Sequence, residues 1–225
     1  MPAMSSDDRP LAAIIFDMDG VLCDSEPFIC EAACRMFREC HDTTVHPDDF
    51  RPFVGMGENR YLGGPAEKHG VILQMPADKI RTYEIYLDII KGRLEPLPGV
   101  LDFVAECRRR GLKLAVASSA DWMKVEGNLK QIGIPATLFD AVVCGDDVER
   151  KKPDPMIFNL AASRMGVAPH RCIVVEDAPN GVQAANAAGA RCLGLTTSFD
   201  EPTLRAAGAD WTAPDLEHVP PAIWG

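Results

Sequence analysis

The run Ile14-Ile15-Phe16-Asp17-Met18-Asp19-Gly20-Val21 constrains the fold of this chain more than any other stretch. Its apolar half is built from residues that suit a buried strand. It then stops on two carboxylates, one residue apart, and a glycine. Side chains at i and i+2 of an extended segment point to the same side. Asp17 and Asp19 therefore sit together at the strand's carboxyl end, where open α/β sheets place their ligands. Two carboxylates held that close repel each other. A lone Asp-x-Asp-Gly is a short motif, and a polar strand-to-loop turn pivoting on Gly20 accounts for it equally well. A calcium-binding EF-hand loop fits worse, because Gly20 comes too early and the preceding segment is strand-like rather than helical.

The pattern further along indicates what that strand pairs with. Beyond residue 100, helical periodicity over 100–110, 121–132, 155–165, 180–188 and 202–207 alternates with strand-like runs at 112–117, 141–144, 172–175 and 191–195, with a last short strand near Asp210. Repeated β-α units predict a parallel sheet covered on both faces. Between the first strand and these units lies a block with helices over 28–40 and 79–91, a short helix from His46, and a loop over 55–60 leading into another helix. It holds no convincing strand. Asp24 or Ser25 caps its first helix, with Pro27 in the opening turn. Glu95-Pro96-Leu97-Pro98-Gly99-Val100, with two prolines and a glycine, ends the block at a hinge. The first strand precedes the block and its sheet partners follow it, so the block is an insertion. The expected fold class is α/β: a Rossmann-like parallel-sheet core flanked by helices, made of residues 1–24 and 96–225, with an inserted α-helical cap of residues 25–95.

A chain of 225 residues can bury a full core, and no apolar run approaches the roughly 20 residues that a bilayer span needs. A net charge of −10 argues against nucleic acid or an anionic membrane surface as a partner, since both must be met by clustered Lys and Arg. The tight basic run Arg108-Arg109-Arg110 closes a helix before Gly111, where cations complement the helix dipole. Eight cysteines, without Cys-x-x-Cys pairs or zinc-type histidine spacing, are expected as reduced thiols in a cytoplasmic setting. Cys30 and Cys34 share a helix face for packing. Residues 1–10 lack the basic start and apolar middle of a secretory leader and are expected to form a disordered tail on a monomer. An acidic protein still binds a small phosphate where a metal ion and one or two lysines reverse the local field.

Four clusters fall at the carboxyl ends of core strands: Asp17-Met18-Asp19-Gly20, Ser118-Ser119, Lys151-Lys152-Pro153 and Glu176-Asp177. Singly, the serines could cap the helix near Asp121, the lysines could be solvated, and the acids could favour a helix start. All three explanations would then have to coincide on one edge of one sheet. Taken in order, Asp17-Met18-Asp19-Gly20-Val21, Ser118, Lys152-Pro153 and Glu176-Asp177 resemble the four motifs of the haloacid dehalogenase superfamily. The likeness is to its branch with a helical cap inserted after the first strand, which holds phosphoglycolate phosphatase-like and β-phosphoglucomutase-like enzymes. It runs from Ala12 to about Pro214. Gly55-Met56-Gly57-Glu58, Leu62-Gly63-Gly64 and Val116-Ala117-Ser118-Ser119-Ala120-Asp121 are also similar to the phosphatase-type domain of the plant thylakoid suppressor-of-quenching proteins.

The resemblance implies Mg²⁺-dependent hydrolysis of a small phosphorylated metabolite, either a sugar phosphate or a phosphoglycolate-like compound. In that scheme Asp17 attacks phosphorus to give an aspartyl-phosphate, and Asp19 protonates the departing alkoxide, then activates water. Asp17, Asp177 and the main-chain carbonyl of Asp19 hold the metal, with Glu176 as a further ligand or an orienting group. Ser118, Ser119 and Lys152 grip the phosphoryl oxygens; Lys152 is preferred to Lys151 because it directly precedes Pro153. The cap admits the substrate through Ser25 and Glu26 beside the hinge and Gly57, Glu58, Asn59 and Arg60 on the facing loop. Arg60 is a candidate contact for a second anionic group, although a plain surface arginine accounts for it as well, while Tyr83 and Tyr86 pack. Phosphomutase is the alternative within the family, but the sugar phosphomutases of this branch carry a histidine where this chain has Ile29 and an arginine where it has Glu58. Dehalogenation is disfavoured by Asp19 and Glu176-Asp177, and a non-catalytic binding or regulatory module by the presence of both Asp17 and Asp19.

Overall fold

The computed structural model describes residues 10–224, so the tail expected at the amino terminus lies, but for Pro10, outside the described residues. After strand β1 (Ala13–Phe16) the chain leaves the sheet for a helical block made of α1 (Glu26–His41), α2 (Glu58–His69) and α3 (Ala77–Ile89). The helix expected from His46 is instead two single 3₁₀ turns, Pro47–Asp49 and Arg51–Phe53, each opened by a proline near its start. The loop expected as far as Arg60 stops at Gly57. That residue takes a φ of 83°, open to glycine at little cost, and its carbonyl accepts the first helical bonds from the Arg60 and Tyr61 N–H groups at 3.1 and 3.0 Å. The outgoing and returning connections run side by side, with the Leu97 N–H donating to the Leu22 carbonyl at 3.1 Å and Cys23 bridged to Pro96.

The remaining elements alternate: α4 (Val100–Arg109), β2 (Lys113–Ala117), α5 (Trp122–Gln131), β3 (Ala141–Val143), α6 (Met156–Met165), β4 (Cys172–Glu176), α7 (Pro179–Ala187), β5 (Arg191–Leu195), α8 (Glu201–Ala207) and β6 (Trp211–Ala213). The six strands form one parallel sheet in the order β3-β2-β1-β4-β5-β6. Phe16 of the central β1 lies level with Val116 on one side and Val175 on the other. The chain therefore runs outward from β1 through β2 to β3, crosses back, and runs the other way from β4 to β6. Connections that leave in opposite directions open a crevice at the carboxyl ends of β1 and β4. Asp17 follows the first of those strands and Glu176 ends the second.

All four residues of β1 are buried, as a strand covered on both faces requires. Ile14 and Phe16 face the layer that holds α4 and α5, whereas Ala13 and Ile15 face α6, α7 and α8. Phe16 packs edge-on against Phe103 and Phe139, with ring centroids at 6.0 and 6.3 Å. None of the described helices is long and apolar enough to cross a membrane, and all eight cysteines are free. Truncating Phe16 removes a fully buried ring from the one strand that touches both halves of the sheet. Phe16→Ala should lower the unfolding free energy by about 3–5 kcal/mol, read as a lower urea midpoint at unchanged slope.

Candidate active site

Asp17 is the first residue past β1. Its N–H still bonds the Val175 carbonyl at 2.9 Å, which fixes the side chain at the end of the sheet. Lys152, brought in by the loop before α6, donates to Asp17 Oδ1 at 2.5 Å and to Glu176 Oε1 at 2.7 Å, with the Ala117 carbonyl at 3.3 Å. Its ammonium also lies 4.9 Å over the Phe158 ring. Lys151 turns the other way, to the Gly145 carbonyl at 2.6 Å. The second oxygen of Glu176 accepts from the N–H groups of Asp177 and Ala178, each at 2.8 Å. Glu176 is thus fully occupied in holding Lys152 and the turn after β4.

Two glycines make this crowding feasible. A Cβ on Gly181 would overlap the Glu176 carboxylate, and one on Gly20, whose φ is +76°, would overlap that of Asp177. Asp177 also accepts from the Ser198 hydroxyl. Ser118 is buried, with its N–H on the Val143 carbonyl at 3.0 Å and its Oγ accepting from the Ala120 N–H at 3.2 Å. Ser119 lines the same cavity.

Burial pushes the Asp17 carboxyl up to about 7; Lys152 opposes the rise, and Glu176 and Asp19 add to it. Asp177 is raised by burial, then by Glu176 and Asp17. Burial alone would lower Lys152, but Asp17 and Glu176 more than reverse that. The donor atoms are all oxygens and the cluster carries more negative than positive charge, so Asp17 and Asp177 suit a hard divalent cation. The Asp19 carboxyl is engaged elsewhere. Its Oδ1 accepts from the Ser25 hydroxyl and its Oδ2 from Lys124 at 2.9 Å, which leaves its main-chain carbonyl for a metal.

These groups border a cavity of about 730 Å³ between the sheet edge and the helical block. On the block's side it is lined by Glu26, Ile29, Phe53, Gly57, Glu58 and Tyr61. Glu26 accepts from the Tyr61 hydroxyl at 2.8 Å. Glu58 is buried, which pushes its carboxyl up to about 7 against the pull of Lys124 at 3.7 Å. Asn59 and Arg60 do not line the cavity, because the helix begins at Glu58 and turns them outward. Arg60 pairs instead with Glu67 at 2.7 Å and stacks 4.7 Å over Phe53. Ser25 occupies the cap position of α1 but gives its hydroxyl to Asp19 rather than to the helix, and it too lies off the cavity wall. Tyr83 and Tyr86 are buried away from the lining, with the Tyr86 hydroxyl on Asn128 Oδ1 at 2.5 Å.

Lys124 was not singled out by sequence, and it is central here. It falls in register with the buried Val125, Asn128 and Leu129 of α5, so the signal was a charge placed on an apolar helix face. Ser198, in the loop after β5, carried no comparable signal.

The model of the haloacid dehalogenase-like hydrolases matches residues 11–189. The chain belongs to that family. This haloacid dehalogenase-like hydrolase sits in the helical-cap branch and is a phosphatase-type enzyme. It is 45% identical over 212 residues to Protein SUPPRESSOR OF QUENCHING 1, chloroplastic, of Arabidopsis thaliana, a match that takes in 93% of this chain and 20% of that protein. The chain thus spans about a fifth of that relative's length. It is 33% identical over 201 residues to the phosphorylated carbohydrates phosphatase of Thermotoga maritima, covering 88% of this chain and 92% of the other. Among solved structures, CbbY from Rhodobacter sphaeroides in complex with phosphate superposes with a TM-score of 0.82 at 29% identity, over 92% of this chain and 95% of that one.

Within the hydrolase, Lys124 is the buried cation shared by a core carboxylate and one from the helical block. Lys124→Met leaves both without it and should destabilise the fold by about 1–3 kcal/mol. A double-mutant cycle with Glu58→Gln, read by urea denaturation, should return a coupling of at least about 0.5 kcal/mol.

Proposed function

We propose that this hydrolase is a Mg²⁺-dependent phosphatase of small phosphomonoesters, sugar phosphates foremost, acting through an aspartyl-phosphate on Asp17. The observation that carries the proposal is the buried Lys152 bridging Asp17 and Glu176 beside Asp177. Phosphoryl transfer needs an in-line nucleophile, neutralised equatorial oxygens and a proton for the leaving group, and this chain has a residue for each.

Lys152 holds one oxygen of Asp17, and the other attacks phosphorus. The P–O bond to the substrate alkoxide breaks as the Asp17–phosphorus bond forms, and water later cleaves the acyl phosphate. Asp19 gives its proton to the departing alkoxide and then takes one from that water, while Ser25 and Lys124 fix its carboxyl. Ser118 and Ser119 supply hydrogen bonds to the phosphoryl oxygens and Lys152 supplies a point charge. Glu176 serves by orienting Lys152. Asp17, Asp177 and the Asp19 main-chain carbonyl would hold Mg²⁺, which when bound neutralises charge on the transferring group. Residues 25–95 form the cap, which excludes bulk water and meets the leaving group with Glu26, Gly57 and Glu58.

Three observations support this reading beyond the family. One relative's name is that of a phosphatase of phosphorylated carbohydrates, and the CbbY neighbour holds phosphate. Hydrolysis is favoured over mutase chemistry because Ile29, standing where the sugar phosphomutases of this branch carry histidine, forms apolar cavity wall. Asp17→Asn should cut Mg²⁺-dependent release of phosphate from p-nitrophenyl phosphate by at least about 10³-fold. Lys152→Ala should cut it by about 10²–10³-fold. Chelation should abolish turnover and added Mg²⁺ should restore it; near-wild-type turnover by Asp17→Asn would sink the assignment.

A further inference from the structure

The leaving-group side of the cavity has a charge pattern of its own. Asp24, Glu26 and Glu58 line it together with Asp19. Lys124 is the buried cation among them, and its charge is already divided between Asp19 Oδ2 at 2.9 Å and Glu58 Oε1 at 3.7 Å. The Tyr61 hydroxyl satisfies Glu26 at 2.8 Å without neutralising it. Arg51 also touches the cavity, but from the rim, with its side chain 82% exposed and paired to Asp48 at 3.1 Å. Arg60, the cation best placed by sequence to meet a second anion, is committed to Glu67 on the outside of α2.

We propose that this surface selects phosphomonoesters whose leaving group carries hydroxyls or an amine, and rejects those that carry a second phosphate or a carboxylate. The proposal rests on the phosphatase reading of the same site and narrows it. Carboxyl oxygens accept hydrogen bonds from sugar hydroxyls and from an ammonium group, so Glu26 and Glu58 are suited to a polyol or an amino sugar. A second anion in the same place would face Asp24, Glu26 and Glu58 with one buried cation already shared; burial raises the carboxyls of Glu26 and Glu58, the latter to about 7, so this repulsion grows as the pH rises above neutrality. Ile29 and Phe53 add apolar wall for the C–H face of a sugar ring. Of the two substrate types that the sequence left open, the sugar phosphate fits this lining and phosphoglycolate, with its carboxylate, does not.

The test uses the full chain with Mg²⁺ and three six-carbon 6-phosphates: glucose 6-phosphate and glucosamine 6-phosphate, which are rings, and the open-chain acid 6-phosphogluconate. Each is measured by kcat/KM and by competition against p-nitrophenyl phosphate. The expected result is 6-phosphogluconate at least about tenfold poorer than glucose 6-phosphate, with glucosamine 6-phosphate equal to it or better. In the Glu26→Gln/Glu58→Gln variant the ratio between the first and last substrates, taken within the variant so that any overall loss of activity cancels, should narrow to about threefold or less. Turnover of p-nitrophenyl phosphate combined with equal use of 6-phosphogluconate, with a ratio unmoved in the variant, or with no competition from any of the three, overturns this proposal and leaves the phosphatase reading standing. Absence of p-nitrophenyl phosphate turnover overturns both.

Discussion

Carboxylates gathered into a dry crevice repel one another, and the architecture of this hydrolase depends on how that repulsion is contained. Asp17, Glu176 and Asp177 come from two neighbouring strands and would not tolerate burial together unaided. Lys152 binds the first two at once, and the N–H groups after β4 take the remaining oxygen of Glu176. Among the described residues, the Asp177 carboxylate has the Ser198 hydroxyl as its side-chain partner. Asp17 and Asp177 remain the undercompensated pair, and undercompensated carboxylates are what a divalent cation binds.

The sheet order sets this up. Because strand order runs one way from β1 to β3 and the other way from β4 to β6, the carboxyl ends of β1 and β4 lie side by side, and the two acidic clusters meet although they are far apart in sequence. Close packing then does the fine adjustment. Gly20 and Gly181 leave room for the Asp177 and Glu176 carboxylates, so the acids approach the crevice at positions that any larger residue would block.

The layered fold was legible because its signals are local: the continuous apolar run of β1, the alternation beyond residue 100, and the hinge with Pro96, Pro98 and Gly99. The crevice was legible because Asp17, Lys152 and Glu176 terminate or follow strands whose carboxyl ends must share an edge. What escaped depends on side-chain direction at helix starts. Moving the beginning of α2 to Glu58 points that residue into the cavity and turns Asn59 and Arg60 out, since neighbours on a helix lie about 100° apart. Lys124 escaped for a related reason. A lysine on a helix is ordinarily a surface residue, and only the acids of two other elements, which no local pattern links to α5, make its burial tolerable.

Asp19 sits where the covalent and non-covalent links between sheet and cap meet. It lies a few residues before α1, receives the hydroxyl of Ser25 at that helix's start, and shares Lys124 with Glu58 at the start of α2. The returning connection adds to this through Leu97 on Leu22 and Pro96 beside Cys23. Of the two partners of the Asp19 carboxyl, Ser25 opens α1 and Lys124 belongs to α5, so this side chain joins the start of the helical block to the core. Asp17 is held by β4 through its N–H and by Lys152 through its carboxylate. The two aspartates that begin as neighbours in one short motif thus have different supports, one at the sheet edge and the other at the junction with the helical block.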